Sequence, residues 1–176
     1  MTGRERVMTA FELREADRVP VWVHAMNEAS IINIGRYFTD ELPEPKPVHL
    51  MDIEEQTQLL NAAYLIHQEL EIDGVTSMVL AEETDLDEKR YRDEWGAVFE
   101  RNPYGLAYPM EPAIKGPDDL KGYQRPHINR DEHLFLLDAA RTKFQDRLAH
   151  FFMVGGVFTQ TFESLRAMEH LLMDMV

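Results

Sequence analysis

The fold is decided by the stretch Asp73-Gly74-Val75-Thr76-Ser77-Met78-Val79-Leu80-Ala81. Asp73 and Gly74 end a helical pattern, and the residues from Val75 to Ala81 favour a β-strand. This run is mostly apolar on both faces, which is typical of a strand buried in a parallel sheet. We therefore expect a parallel sheet with helices packed outside it.

The segment before this strand carries the clearest helical pattern, over about residues 52–71. Asp52 and Glu55 have the spacing of a capping box, in which each side chain accepts a hydrogen bond from a free backbone N–H at the start of the helix. Apolar residues then recur at helical spacing, namely Leu59, Ala63, Ile66 and Leu70. His67 also lies on this helix, and we expect it to be structural or exposed.

Three further elements are expected nearer the start of the chain. Thr2 and Glu5 form another capping box and predict a short first helix. The run Val19-Pro20-Val21-Trp22-Val23 predicts the first strand, with Pro20 at its start or edge. Apolar residues at near-helical spacing then predict a helix over residues 28–38.

The residues after the central strand change character. Residues 85–115 are charged, aromatic and rich in Pro and Gly, and they predict a β-hairpin excursion. A short helix is expected from Gly116, and Asn129 caps a longer one whose apolar face is Leu137, Ala140, Phe144 and Leu148. A third strand over residues 151–156 and a helix over 158–175 follow.

This alternation of strands and helices predicts an α/β fold with a parallel sheet. We interpret residues 1–176 as the N-terminal half of a (β/α)₈ TIM barrel with a hairpin insertion at about 85–115. Eight strands close such a barrel and only three are predicted, so apolar edges stay unpaired. The sequence also ends inside a helical pattern, at residues 171–176, and we expect a cut chain.

Composition excludes several classes of function. Acidic residues outnumber basic ones by 32 to 18, a net charge of −14, which would repel nucleic acid and anionic membranes. Cysteine is absent, so thiolate chemistry and Cys-based zinc sites are excluded. No apolar run is long enough for a membrane span or a secretory signal. We expect a cytoplasmic protein that binds neither nucleic acid nor membranes.

Several spaced motifs resemble those of the uroporphyrinogen decarboxylase-like superfamily. They are Arg4-Glu5-Arg6-Val7, Asp17-Arg18-Val19-Pro20-Val21, Asp73-Gly74-Val75, Asp93-Glu94-Trp95-Gly96, Pro117-Asp118-Asp119-Leu120 with Tyr123, and Gly155-Gly156. Each motif is short, but their order and spacing span nearly the whole chain. The resemblance implies a TIM-type barrel with its chemistry at the carboxyl ends of the strands, in agreement with the pattern of elements.

The resemblance implies one of two activities. One branch of the family decarboxylates the acetate side chains of uroporphyrinogen without a cofactor. The other transfers methyl groups from a small-molecule donor to a cobalt corrinoid (cobalamin) carried by a partner protein, usually with a zinc ion bound by the later half of the barrel. If the methyltransferase branch applies, this chain needs the remaining half of the barrel for activity. The zinc ligands are then expected in that remaining half and not in this chain.

The sequence departs from the decarboxylase pattern at the first two strand ends. That branch has arginines after its first strand to bind carboxylates, whereas residues 21–28 keep Trp22 and contain no arginine; Arg36 is displaced. Its catalytic aspartate aligns with Leu80. With a net charge of −14 against an octa-anionic substrate, we favour the corrinoid methyltransferase branch and keep uroporphyrinogen decarboxylase as the alternative.

Candidate site residues are the polar side chains that follow the predicted strands. We take His24, Glu82 and Asp85 as candidate catalytic residues, since imidazoles and clustered carboxylates can carry protons. Candidate substrate contacts are Trp22, Met26, Asn27, Gly155, Gly156, Thr159 and Gln160. No metal ligand is proposed. A third hypothesis does not involve catalysis: the chain is a half-barrel that forms homo-oligomers or binds a partner through its exposed sheet edges and its methionine-rich helix.

Overall fold

The computed structural model describes residues 1–79, 81–102, 106–127 and 130–176. Its α-helices are α1 Gly3–Phe11, α2 Glu28–Gly35, α3 Ile53–Glu69, α4 Arg130–His133, α5 Phe135–Phe144, α6 Val157–Gln160 and α7 Met168–Asp174. Its strands are β1 Gly74–Met78, β2 Glu83–Asp85, β3 Arg90–Asp93, β4 Val98–Arg101, β5 Ala107–Glu111 and β6 Ala149–Met153. Short 3₁₀ turns lie at Val48–Leu50 and Asp119–Lys121. The predicted α/β class is confirmed.

The described chain forms two compact units. The first comprises Met1–Met78 and Leu134–Met153, and the second comprises Val79–His133 and Val154–Val176. A parallel two-stranded sheet lies in the first unit and an antiparallel four-stranded sheet in the second. The described residues form no closed barrel.

The first unit is built on the parallel pair β1 and β6. Gly74 pairs with Ala149 and the register runs in step to Met78 and Met153. Val75 packs with Tyr64 of α3 and Phe144 of α5, so both helices cover one face of the pair. The strand predicted from Val75 is confirmed as β1, which starts at Gly74 and ends at Met78; Leu80 lies outside the described residues.

The first strand predicted over residues 19–23 is wrong as a continuous strand. Only Trp22 pairs, in a single parallel bridge to Gly74. Pro20 has no N–H to donate, and the N–H of Val21 donates to the carboxylate of Asp73 at 2.7 Å. Residues 19–23 therefore run parallel to β1, as expected. The Asp73 side chain, however, takes the place of part of the backbone hydrogen bonding that a continuous strand would make.

The predicted helix caps form as the sequence indicates. Thr2 and Asp52 each accept a hydrogen bond from the backbone N–H three residues later, and the matching glutamates complete both capping boxes. Helix α3 packs against α2 through a core of Ile31, Ile32, Leu59, Ala62, Ile66 and Ile72, with Met51. The α2 helix ends at Gly35, so the predicted extension to residue 38 is wrong.

The second unit contains more strands than the predicted hairpin. Strands β2, β3, β4 and β5 form an antiparallel meander over residues 83–111. The turn between β3 and β4 is closed by Asp93, whose carboxylate accepts the N–H of Ala97, and by Gly96 at φ 94°. A positive φ favours glycine at that position.

Two predicted helices are interrupted. The one expected from Asn129, which lies outside the described residues, is split at Leu134 into α4 and α5. The helix predicted over 158–175 contains a π-helical turn at Thr161–Leu165 and breaks at Ala167, where φ is 61°. Arg166 donates there to the carbonyl oxygens of Ile114 and Lys115, a tertiary contact that local sequence patterns do not reveal.

Candidate functional site

The face of the parallel pair opposite α3 and α5 is aromatic and rich in methionine. Side chains alternate between the two faces of a strand, which puts Gly74, Thr76 and Met78 on this side together with their register partners on β6. The Trp22 ring lies 4.5 Å from the Phe151 ring, and its Nε1 donates to Thr76 Oγ1 at 2.8 Å. We call Trp22, Thr76, Met78, Phe151 and Met153 the inner face.

Gly74 is required by this arrangement. A Cβ added to Gly74 would lie 2.6 Å from the Phe151 ring and 3.2 Å from the Trp22 ring. Only a residue without a side chain therefore leaves room for both rings over the start of β1. Trp22 and Met78 are each 44% exposed, so the inner face is open within the first unit.

His24 lies at the carboxyl end of the Trp22 bridge, where the sequence predicts a catalytic residue. Its ring meets the Trp22 ring edge to face, with centroids 5.6 Å apart, and it is exposed. His24 and Met26 both border a cavity of about 190 Å³. The structure thus brings Trp22, His24 and Met26 together.

Asn27 has a structural task. Its Oδ1 accepts the N–H of Ser30 at 2.9 Å and so caps α2. The Oδ1 atom of Asn27 is therefore already used by the helix cap. The need for this cap accounts for an asparagine at position 27, whether or not Asn27 also contacts a substrate.

The acidic residues after β1 are held on the antiparallel meander. Glu83 and Asp85 both form ion pairs with Arg101, and the guanidinium carbon of Arg101 lies 4.0 Å from the centre of the Tyr91 ring. Burial, with the nearby charge of Glu83, raises the pKa of the Tyr91 hydroxyl to about 12. Asp85 is thus engaged in an ion pair, whereas Glu82 is exposed.

The glycines after β6 lead directly into a helical turn. Gly155 and Gly156 are exposed, and Gly156 is the N-cap residue of the four-residue helix α6. Thr159 is exposed, and the Gln160 side chain donates to Ser164 Oγ at 2.7 Å. These residues belong to the second unit, together with Glu82 and Asp85.

The motifs of the first 73 residues meet at the amino end of β1. Arg6 pairs with Asp17 through Nε at 2.6 Å and also with Asp73, whose carboxylate accepts Arg18 Nη1 at 2.8 Å. Hydrogen bonding to Asp17 raises the pKa of Arg6, and the Arg6 guanidinium holds the pKa of Asp17 well below its usual range. We call Arg6, Asp17, Arg18 and Asp73 the Asp73 network.

The Asp73 network has a structural role. The Asp73 network ties α1 and the segment before Trp22 to β1. It also borders a second cavity, of about 350 Å³, that includes Arg147 and His67.

His67 is a buried polar side chain whose surroundings cannot be read from the sequence. It is 6% exposed and borders both cavities of the first unit named above. Its Nδ1 lies 2.7 Å from the carbonyl oxygen of Ala63, and burial lowers its pKa. Helical spacing alone places it on the apolar face, but gives no sign that a cavity lies next to it.

The part of the chain that the structure describes offers no cluster of three or more His, Asp or Glu side chains able to hold a metal ion. The zinc ion implied by the methyltransferase branch therefore does not fit these residues. No helix among the described residues has both the length and the apolar character needed to cross a bilayer.

Comparisons with known proteins add no family assignment. No protein-family model, no curated protein and no solved structure matches the chain. The likeness to the uroporphyrinogen decarboxylase-like superfamily therefore stays a resemblance carried by the motifs.

Proposed function

We propose that the chain forms the first three strands, with their helices, of a uroporphyrinogen decarboxylase-type (β/α)₈ barrel that further strands close. Two observations support this. The Trp22 segment, β1 and β6 run parallel and lie side by side in sequence order, with helices between them, as successive barrel strands do. The outer edge of β6 also has no strand neighbour among the described residues.

In this protein the barrel transfers a methyl group from a small methoxy-type donor to a cobalt corrinoid on a partner protein. The observation that carries the proposal is His24 beside the Trp22 ring, at the carboxyl end of the parallel segments. An aromatic wall holds a donor by stacking, and an imidazole at the rim can give a proton to an oxygen. The −14 charge and the lack of arginine at this strand end favour this branch over decarboxylation.

The residues of the chain have separate tasks in this reaction. The corrinoid supplies the nucleophile that accepts the methyl group. Trp22, fixed by its hydrogen bond to Thr76, orients the donor against the inner face. As the carbon–oxygen bond breaks, His24 gives a proton to the departing oxygen, so that an alcohol leaves instead of an alkoxide. No step is assigned to zinc.

The test is a methyl-transfer assay on the full-length protein. Cob(I)alamin and a panel of methoxylated arenes are supplied, and methylcobalamin formation is followed by absorbance. We expect His24→Ala to lower the rate about 100-fold or more, the usual scale for a general acid. His49→Ala is the matched control, since His49 is exposed on the Val48–Leu50 turn.

Two results would contradict the proposal. The first is no methyl transfer from any donor. The second is equal rates for the His24→Ala and His49→Ala variants. Conversion of uroporphyrinogen to coproporphyrinogen by the same preparation would support the decarboxylase alternative instead.

A second candidate function is self-association through the open inner face. Trp22 and Met78 are each 44% exposed, and an exposed apolar sheet face favours an interface. Light scattering after gel filtration distinguishes a homo-oligomer from a monomer. A Trp22→Ser variant that stays folded and becomes monomeric would support this candidate.

A further inference from the structure

The cavity of about 190 Å³ lies between residues 23–26, helix α3 and strand β1. We call it the α3 cavity. Its walls include Val23, Leu60 and Val75, and no Asp, Glu, Lys or Arg side chain borders it. All of it lies within the first unit. It occupies the volume that about six water molecules fill in the liquid, which suits one small organic molecule and not a tetrapyrrole.

His67 presents a fixed hydrogen-bond acceptor in this region. A carbonyl oxygen only accepts, so Nδ1 of His67 must carry the proton in its 2.7 Å contact with Ala63. The lone pair of the neutral ring then lies on Nε2. Burial lowers the pKa of His67 and so favours this neutral form.

Nε2 of His67 is both accessible and unused. Across the described ranges Nε2 makes no hydrogen bond. It is also not fully buried, because the fully buried side-chain atom that lacks a partner among the described residues is Nδ1 of His150. The open space beside His67 belongs to the two cavities that it borders. The larger cavity is lined by the charged Asp73 network, whereas the α3 cavity is mostly apolar and uncharged.

Tyr64 also brings a hydroxyl group to the lining of the α3 cavity. It borders the cavity one helical turn before His67, and its hydroxyl makes no hydrogen bond within the part of the chain that is described. Burial raises the pKa of Tyr64, so the hydroxyl stays protonated at neutral pH. The cavity thus offers the Nε2 acceptor of His67 and the hydroxyl of Tyr64. Thr76 and Ser77 also border it, but their hydroxyls donate to the carbonyl oxygens of Val23 and Leu136.

We propose that the α3 cavity binds a small uncharged alcohol or phenol whose hydroxyl donates a hydrogen bond to Nε2 of His67. Apolar walls disfavour a charged ligand, and a buried acceptor selects a molecule that carries a donor. The site goes beyond the proposed function, because binding requires no methyl transfer. His24 also borders the cavity, so an alcohol released at the inner face has a place to bind nearby.

The experiment compares phenol, anisole and toluene as probes of the whole chain by calorimetry. We expect phenol to bind about tenfold more tightly than toluene, the effect of one net hydrogen bond. His67→Phe should remove this preference, and His49→Phe should leave it unchanged. In ¹⁵N-histidine-labelled protein, the Nε2 resonance of His67 should shift with phenol and stay in place with anisole.

If the His67→Phe variant fails to fold, the ¹⁵N-histidine spectra of the unmodified chain still test the proposal. Equal affinity for the three probes would overturn the proposal, as would no saturable binding, which would mean that the cavity holds only water. A shift at His24 with none at His67 would overturn the assignment of the acceptor. Failure of methyl transfer alone would leave the site unaffected.

Discussion

Replacing Asp73 with asparagine tests whether the Asp73 network holds the first unit together. The Asp73 side chain is 2% exposed and accepts hydrogen bonds from Arg6, Arg18 and the N–H of Val21. Asparagine keeps the shape and removes the charge, which leaves the buried Arg6 paired with the carboxylate of Asp17 and hydrogen-bonded to the carbonyl oxygen of Met1. Breaking a buried ion pair costs about 3–5 kcal/mol, and since Asp17 still pairs with Arg6 we expect about 3 kcal/mol.

Urea unfolding followed by fluorescence measures this loss. The chain has two tryptophans, and Trp22 lies in the first unit. A Trp95→Phe background therefore leaves Trp22, stacked on Phe151, as the reporter of that unit. For a chain of this size, a loss of about 3 kcal/mol lowers the melting temperature by about 6–12 °C. The urea midpoint should fall with an unchanged slope.

Asp146→Asn in the same background is the matched control, because Asp146 lies in the first unit together with the reporter Trp22. Asp146 also pairs with a cation, Arg4, but the two side chains are 87% and 52% exposed. Exposed pairs contribute little, so the control should unfold like the parent. If Asp73→Asn is as stable as Asp146→Asn, the Asp73 network does not stabilise the unit and our assignment of it is refuted.

Three further predictions concern local features. Gly74→Ala should cost about 1–3 kcal/mol in urea unfolding and shift the Trp22 emission, because its Cβ meets the Phe151 ring at 2.6 Å. Asp52→Ala should cost about 1 kcal/mol by removing the α3 cap, measured as faster amide exchange in the first turn of that helix; equal exchange in the parent would contradict it. Because the pKa of His67 is lowered in the folded chain, the unfolded chain binds the proton first as the pH falls below about 6.5, so stability should decrease between about pH 7.5 and 5.5. His67→Phe should weaken that decrease; an unchanged pH profile would contradict this origin.

Short-range chemistry made part of the fold predictable. The capping boxes at Thr2 and Asp52 and the apolar run from Val75 depend on residues within a few positions of one another. The failures depend on distant partners. The first strand is reduced to one bridge because Asp73 takes the N–H of Val21, and the last helix breaks where Arg166 binds backbone from residues 114–115.

The candidate site was predictable to a similar extent. His24 follows from the rule that chemistry lies at the carboxyl ends of parallel strands, and the structure places it beside Trp22. His67 does not follow from any rule of spacing. His67 is a candidate ligand contact because its Nδ1 is hydrogen-bonded to Ala63 and because a cavity lies beside the ring. The sequence pattern indicates neither of these features.

The motifs that carry the family resemblance mostly build the fold. Asp73 closes an ion-pair network, Asp93 closes a β-turn, and the Asp119 carboxylate accepts the N–H groups of Lys115 and Gly116. A resemblance made of such residues transfers geometry more securely than chemistry. Stability and activity should then separate: Asp73→Asn should unfold the first unit at lower urea, whereas His24→Ala should lower methyl transfer with no loss of stability, because His24 is exposed and contributes only an edge contact to Trp22.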